Sequence, residues 1–297
     1  VGSEMCIRDR CIYDRWQIPS EKRSVPYNGQ KGSVRKIGQI ETLEYAGNVE
    51  GSIEIGGRFM NNKYDFDKEI NRRNTGSLKW DVPENELPLW VADMDFETAP
   101  AVRKALQKRV EHGVFGYSVL PDCWYQAYQD WWKKRHHLEI EKDWLIFCTG
   151  VIPALSTAVR KLTTPGEKIL IQTPVYNIFF NSIINNGRFV VESPLAYENG
   201  RYTINWEDLE TKLSDPQVSM MILCNPHNPV GNIWDADTLS RIGELCRKYH
   251  VVVFSDEIHC DLTAPGKEYI PFASVSDVCA AISVTAIAPT KAFNIAG

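Results

Sequence analysis

The sequence predicts an α/β protein built on a mostly parallel sheet with helices on both faces. Three observations predict it. Short runs rich in Val, Ile and Leu recur from residue 144 onward. Those runs are apolar at nearly every position, which marks strands buried on both faces. Segments with helical apolar spacing separate them, so successive strands are expected to connect through helical crossovers.

The elements follow in order. "TAPAVRKALQKRVEH" (98–112) has helical spacing, with Thr98 as N-cap and Pro100 near the first turn. "PDCWYQAYQDWWKKRH" (121–136) is a second amphipathic helix, its aromatics serving core or interface. From there strands are expected at 144–148, 168–172, 188–193, 219–224, 251–255 and 280–285. Helices are expected at 151–162, 175–186, 206–213 and 235–249, the last capped by Asp235. The sequence has no internal repeat and no low-complexity tract in this region.

Composition narrows the function classes. A chain of 297 residues, 43% hydrophobic and 24% charged, has the make-up of a globular protein with a large core. A net charge of −5 lacks the basic footprint of a nucleic-acid binder. No apolar run reaches the roughly 18–20 residues of a membrane-spanning helix. The eight cysteines are scattered, with no C-x-x-C pair and no His/Cys cluster at metal spacing. That pattern points to reduced thiols in the cytoplasm, and no metal is expected. The first 59 residues differ in character. "VGSEMCIRDR" is not a signal peptide and resembles translated sequencing-adapter sequence. The stretch from Gly29 to Gly57 is rich in Gly and Ser. Residues 1–59 are therefore expected to be a non-native or disordered extension, with Met60 as the initiator.

Ligands of such sheets bind beyond the carboxyl ends of the strands. There the sequence places "TGVIPAL", "TPVYN", "NPHNPVG", "DEIHCD" and "AIAPTK". Each has a purely structural reading, and each has a chemical one. Thr149-Gly150 could be a tight turn, or the backbone N–H groups of Val151 and Ile152 could cradle a phosphate at a helix N-terminus. Tyr176 could be a core aromatic or could stack on a flat cofactor. The Asn- and Pro-rich 225–231 stretch could be a turn only, or Asn225 and Asn228 could offer side-chain donors at the strand end. Asp256, after a buried strand, needs a cationic partner, because an unpaired buried charge is costly. His259 lies three residues on and could share the site or be structural. Lys291, after an interior strand and beside Thr290, is expected to be a desolvated amine able to act as a nucleophile.

Taken together, "LPLWVADMDF" (87–96), "FGYS" (115–118), "CNPHNPVG" (224–231), "SDEIHCDL" (255–262) and "APTKAFNIAG" (288–297) resemble the fold-type I pyridoxal-phosphate enzymes. Within them the chain is similar to the cystathionine β-lyase-like branch, the aminotransferase-like C–S lyases. The resemblance covers about 60–297, in order. It implies residues 60–95 as part of a small domain and 96–297 as the large pyridoxal-phosphate-binding domain, with further chain of the family lying beyond Gly297. It implies that Lys291 carries the pyridoxal 5'-phosphate and moves protons at the substrate Cα. Asp256 would pair with the pyridine nitrogen, Asn228 would donate to the ring oxygen, and Tyr176 would stack on the ring. Gly150, Val151, Ile152 and Thr290 would surround the phosphate. Tyr117 would reach the phosphate of a neighbouring subunit, which implies a homodimer with shared sites. His259 stands where many aminotransferases carry tyrosine, and this favours a lyase. Ala288 departs from the serine often found there, removing one phosphate hydroxyl.

The implied reaction is cleavage of L-cystathionine or a related cysteine S-conjugate to a thiol, pyruvate and ammonia. Two alternatives stay open on the sequence. An aminotransferase would use the same residues for the first steps, and a regulatory binding protein could use the same fold.

Overall fold

The computed structural model describes residues 4–8, 54–55, 58–59 and 64–296. Met60 and the remainder of 1–59 lie outside the described residues. The chain forms two compact units, Val1–Trp16 with Ile70–Gly297, and Gln17–Glu69. The larger unit begins with β1 (Glu4–Arg8). In the smaller unit β2 (Glu54–Ile55) and β3 (Arg58–Phe59) pair antiparallel.

The larger unit continues with α1 (Pro100–His112), α2 (Asp122–His136), β4 (Leu145–Cys148), α3 (Val151–Leu162), β5 (Lys168–Ile171), α4 (Ile178–Ile184) and β6 (Phe189–Glu192). A hairpin of β7 (Ala196–Glu198) and β8 (Arg201–Thr203) leads to α5 (Trp206–Leu213), β9 (Val218–Cys224), α6 (Ala236–Lys248) and β10 (Val252–Asp256). Then come α7 (Asp277–Ile282), β11 (Ser283–Ile287) and the single turn α8 (Pro289–Ala292). One sheet runs in the order β4-β1-β11-β10-β9-β5-β6. Its pairs from β11 through β6 are parallel, and β1 is antiparallel to both of its neighbours. The predicted α/β class and mostly parallel sheet are present.

Strand alternation assigns the two faces. On β9, Met220, Ile222 and Cys224 join Phe254 of β10 and Ala286 of β11 in a core with α3 and α4. The intervening Met221, Leu223 and Val253 face α5, α6 and α7. Both faces of the central strands are thus covered, which is why their sequences read as unbroken apolar runs. The same alternation puts Asp256 on the α3 side, in step with Phe254. Ser255 and Glu257 lie in step with Val253.

Several expectations need correction. Thr98 does not cap α1. The N-cap is Ala99 without a side-chain hydrogen bond, and the Thr98 hydroxyl donates to the Phe293 carbonyl at 2.6 Å. Residues 280–282, expected as strand, belong to α7, whose N-cap Ser276 accepts from Cys279 N at 3.2 Å. Helix α4 is shorter than 175–186, so Tyr176 precedes it rather than starting it. The β7–β8 hairpin was not anticipated. Asp235 caps α6 as expected, accepting from Thr238 N at 2.8 Å.

Residues 70–99 contain no helix or strand. A carboxylate hub organises them instead. Asp95 accepts from Lys79 Nζ, Trp80 Nε1 and Arg72 Nη1, each at 2.7 Å. Partial burial opposes ionisation of Asp95, but these donors outweigh it and hold its pKa at about 2. Arg72 also pairs with Asp93.

Helices α6 and α7 approach closely at Gly243. A Cβ on Gly243 would sit 2.4 Å from the buried Cys279 Sγ. Overpacking of this kind costs about 1–3 kcal/mol. Gly243→Ala is therefore expected to lower the melting temperature, and Gly243→Ala/Cys279→Ala to recover part of that loss. Thermal melts of the four proteins of this cycle give the coupling, and simple additivity would contradict the packing described.

Candidate active site at the carboxyl ends of the sheet

Parallel register sets the ends of β9, β10 and β11 level: Asp256 lies opposite Cys224 on one side and Ala286 on the other. Backbone hydrogen bonds continue past the ladder, with Asn225 N donating to Asp256 O at 3.0 Å and Glu257 N to Ala286 O at 2.9 Å. The Asp256 backbone is thereby fixed from both sides. Its side chain is only 5% exposed. Its carboxylate accepts a long hydrogen bond from Ile258 N, at 3.2 Å to Oδ1. Burial pushes its pKa up to about 6, partly offset by Ile258 N and by the Lys291 ammonium. Lys291 lies on α8 and is half-buried, not fully enclosed as a desolvated amine would be. His259 is held below the ordinary imidazole value by burial first and by Lys291 second. Lys291, Asp256 and His259 therefore share one electrostatic neighbourhood. Among the described residues Asp256 makes no ion pair within 4 Å, and it remains a buried carboxylate facing a cation.

The other expected residues lie along the same edge. Gly150 is the N-cap of α3 and offers no side chain to it, leaving Val151 and Ile152 N–H in the helix's uncapped first turn. Thr290 is buried one residue before Lys291. Asn228 is half-buried; its backbone N–H donates to Cys224 Sγ at 3.3 Å. Asn228 and His259 line one cavity of about 900 Å³. Tyr176 follows the end of β5 and meets Phe179 edge-on, with ring centres 5.8 Å apart. Tyr117 is not brought to this edge by the contacts described: it sits fully exposed between α1 and α2.

Three further residues hold the site together; of them, His227 and Asp261 were not marked by the sequence. His227 is buried with a pKa lowered to about 4 by desolvation, and its Nε2–H donates to Pro174 O at 3.1 Å. It ties the loop carrying Asn228 to the loop carrying Tyr176. Glu257 accepts from Ser255 Oγ at 2.7 Å, from Phe272 N at 3.0 Å and from the Tyr269 hydroxyl. Burial raises its pKa to about 7 despite these donors. Asp261 accepts from Trp131 Nε1 at 3.0 Å and His136 Nε2 at 3.1 Å, anchoring the His259 loop on α2.

The fold also gathers His136, Cys260 and Asp261, whose ligand atoms lie within 4.8 Å of one another. Their sequence spacing could not show this. Asp261 is already occupied by two donors, with Arg135 Nε at 3.6 Å, and burial raises the Cys260 thiol well above its ordinary value. The trio is a hydrogen-bonded anchor.

The arrangement fits pyridoxal phosphate on its own chemistry. It has an amine for the carbonyl carbon, a buried carboxylate lacking a bonded cation for a protonated ring nitrogen, and an uncapped helix N-terminus for a dianion. A family model described as aminotransferase class I and II matches residues 84–297. Cystathionine beta-lyase PatB of Bacillus subtilis is 46% identical over 238 residues, covering 78% of this chain and 62% of that protein. Protein MalY of Escherichia coli is 33% identical over 239 residues, covering 78% of this chain and 60% of MalY. Cystalysin of Treponema denticola, solved with pyridoxal 5'-phosphate, superposes with a TM-score of 0.75 at 40% identity, covering 79% of this chain and 61% of that one. The chain thus spans about three fifths of the length of these relatives. The matched model, with the fold and site edge that accompany it, establishes that this chain belongs to the aminotransferase class I and II family.

Proposed function

We propose that the protein carrying this chain is a pyridoxal-phosphate-dependent carbon–sulfur β-lyase acting on L-cystathionine or related cysteine S-conjugates. The observation that carries this reading is the buried Asp256 carboxylate, without an ion pair among the described residues and set level with the strand that delivers Lys291. Its similarity to PatB supports the choice of reaction and substrate class.

When bound, the cofactor supplies an electron sink for charge released at the substrate Cα. The chain's residues do the rest. The Lys291 amine would hold the cofactor and, once free of it, would take the proton from the substrate Cα. Asp256 would keep the ring nitrogen protonated, and its burial would strengthen that pairing by excluding water. The Asn228 amide would donate to the ring oxygen, and Tyr176 would pack on the ring. Gly150, Val151, Ile152 and Thr290 would receive the phosphate. His259, whose pKa burial and Lys291 hold below the ordinary imidazole value, would face the substrate in the cavity it shares with Asn228.

The site is completed in a homodimer. Helix α1 has no buried residue; its Leu106 and Val110, and Val114, Phe115 and Val119 after it, are all more than half exposed. An apolar stretch of this kind fits a second copy of the chain, and it carries Tyr117 to that copy's phosphate. Residues 60–95 belong with the small domain. Cys123, Cys148, Cys224, Cys246, Cys260 and Cys279 are free thiols, which supports a reducing, cytoplasmic setting. No helix among the described residues is long and apolar enough to cross a membrane.

Two outcomes follow. With pyridoxal phosphate and L-cystathionine, the protein should release pyruvate and free thiol in equal amounts, and Lys291→Ala should lower that rate by roughly 10²–10⁴-fold or more. Amino transfer to a 2-oxo acid without thiol release would instead assign it to the aminotransferases. The second outcome concerns Asp256. Its folded pKa, about 6, lies above the ordinary 3.8. The folded state thus holds the extra proton, and its stability declines as pH rises from about 4 to 6, with the full cost present at pH 7. Asp256→Asn should therefore stabilise the cofactor-free protein at pH 7 by about 3 kcal/mol while weakening pyridoxal-phosphate affinity. Denaturant melts and cofactor titration read the two opposite signs.

A further inference from the structure

The lysine turn is too short to set its own orientation. Helix α8 spans four residues, Pro289–Ala292, and an isolated turn of helix is unstable because nucleation fixes several residues for a single hydrogen bond. Its own closures are Phe293 N to Pro289 O at 2.9 Å, Ile295 N to Thr290 O at 3.0 Å, and a longer Asn294 N to Lys291 O at 3.3 Å. What holds the turn must therefore come from elsewhere in the fold.

It comes from the strip 94–98, some 200 residues earlier in sequence. Met94 N donates to Asn294 Oδ1 at 3.0 Å. Asn294 Nδ2 donates to Met94 O and to Phe96 O, both at 2.9 Å. The Thr98 hydroxyl adds its bond to Phe293 O at 2.6 Å. The Asn294 amide thus pairs with both backbone groups of Met94, as a neighbouring strand would. Asn294 does so from φ +52°, a left-handed backbone that asparagine tolerates better than most residues. The strip is itself held on its other side, because Asp95, between the two residues Asn294 grips, is the hub for Arg72, Lys79 and Trp80. The Phe293 ring adds a contact to Trp131, with centres 5.5 Å apart.

We infer that Asn294 is a positioning residue for Lys291: its side-chain amide clamps the lysine turn to the 94–98 strip, with Thr98 as the second point of the clamp. This rests on the reading of Lys291 as the cofactor-bearing amine. The clamp aims the amine without touching the reacting atoms. Loosening it should slow capture of the cofactor at Lys291 more than it disturbs the fold, since misplacement by about 1 Å can cost on the order of 10²-fold in rate.

The test uses the full chain incubated with pyridoxal phosphate for timed intervals and reduced with borohydride, which leaves a phosphopyridoxyl group on the amine. Mass spectrometry measures the label on the Lys291 peptide, and amide exchange measures protection of Met94 N–H without cofactor. Wild-type protein should label at Lys291, and failure to do so would strike the functional reading itself. Asn294→Ala should label roughly 10- to 100-fold more slowly and lose Met94 protection. Asn294→Gly, which keeps the backbone angle at ease but lacks the amide, should be as slow as Asn294→Ala. Asn294→Asp keeps the acceptor but points a carboxylate at the Met94 and Phe96 carbonyls, so it should not rescue. Thr98→Val removes only the outer bond and should slow labelling by a few-fold; it decides the matter if the Asn294 variants do not fold. Wild-type labelling rates in Asn294→Ala, or in Thr98→Val where the former is unfolded, would overturn the inference. So would full recovery in Asn294→Gly or Asn294→Asp.

Discussion

The structure turns on a carboxylate buried without a bonded cation. Asp256 is 5% exposed at the end of a central strand, and its charged form is opposed by burial. A fold keeps such a group when a ligand supplies the missing cation, because an uncompensated buried charge otherwise works against stability. The surrounding architecture serves to hold it still. Neighbouring strands fix its backbone, His227 ties the loops beyond β5 and β9, and Glu257 secures the segment that follows through Ser255, Tyr269 and Phe272.

The two adjacent acids show how strand alternation divides labour. Asp256 shares the α3 side with the uncapped helix N-terminus and with Lys291. Glu257 points to the opposite side and is consumed by three donors. Their pKa values are raised by the same cause, burial, yet only Asp256 is left with bonding capacity toward a ligand. A raised carboxylate pKa alone would not have separated the two. The hydrogen-bond partners do.

The central strands were legible because sheets buried on both faces write themselves as continuous apolar runs, and Asp256, Asn228 and Lys291 were proposed from the loops that follow them. The strand expected at 280–285 illustrates the limit. "AAISVT" has strand-like composition, but Ser276 caps a helix there and Cys279 and Ile282 complete the core under α6. Thr98 likewise looked like a helix cap and is part of a clamp 195 residues long in sequence separation. The supporting residues were silent for the same reason. Asn294, His227 and Asp261 act through partners 53 to 200 residues away, and no local pattern records such a distance.

The most direct measurement is the ionisation of the Asp256 carboxyl, followed by carbon-13 NMR or difference infrared spectroscopy with Asp256→Asn as the assignment control. Without cofactor the carboxyl should titrate near pH 6, well above an ordinary aspartate. With pyridoxal phosphate bound it should be ionised across that range, because the ring cation supplies the partner that the fold withholds. An Asp256 titration that does not move on cofactor binding would contradict the account.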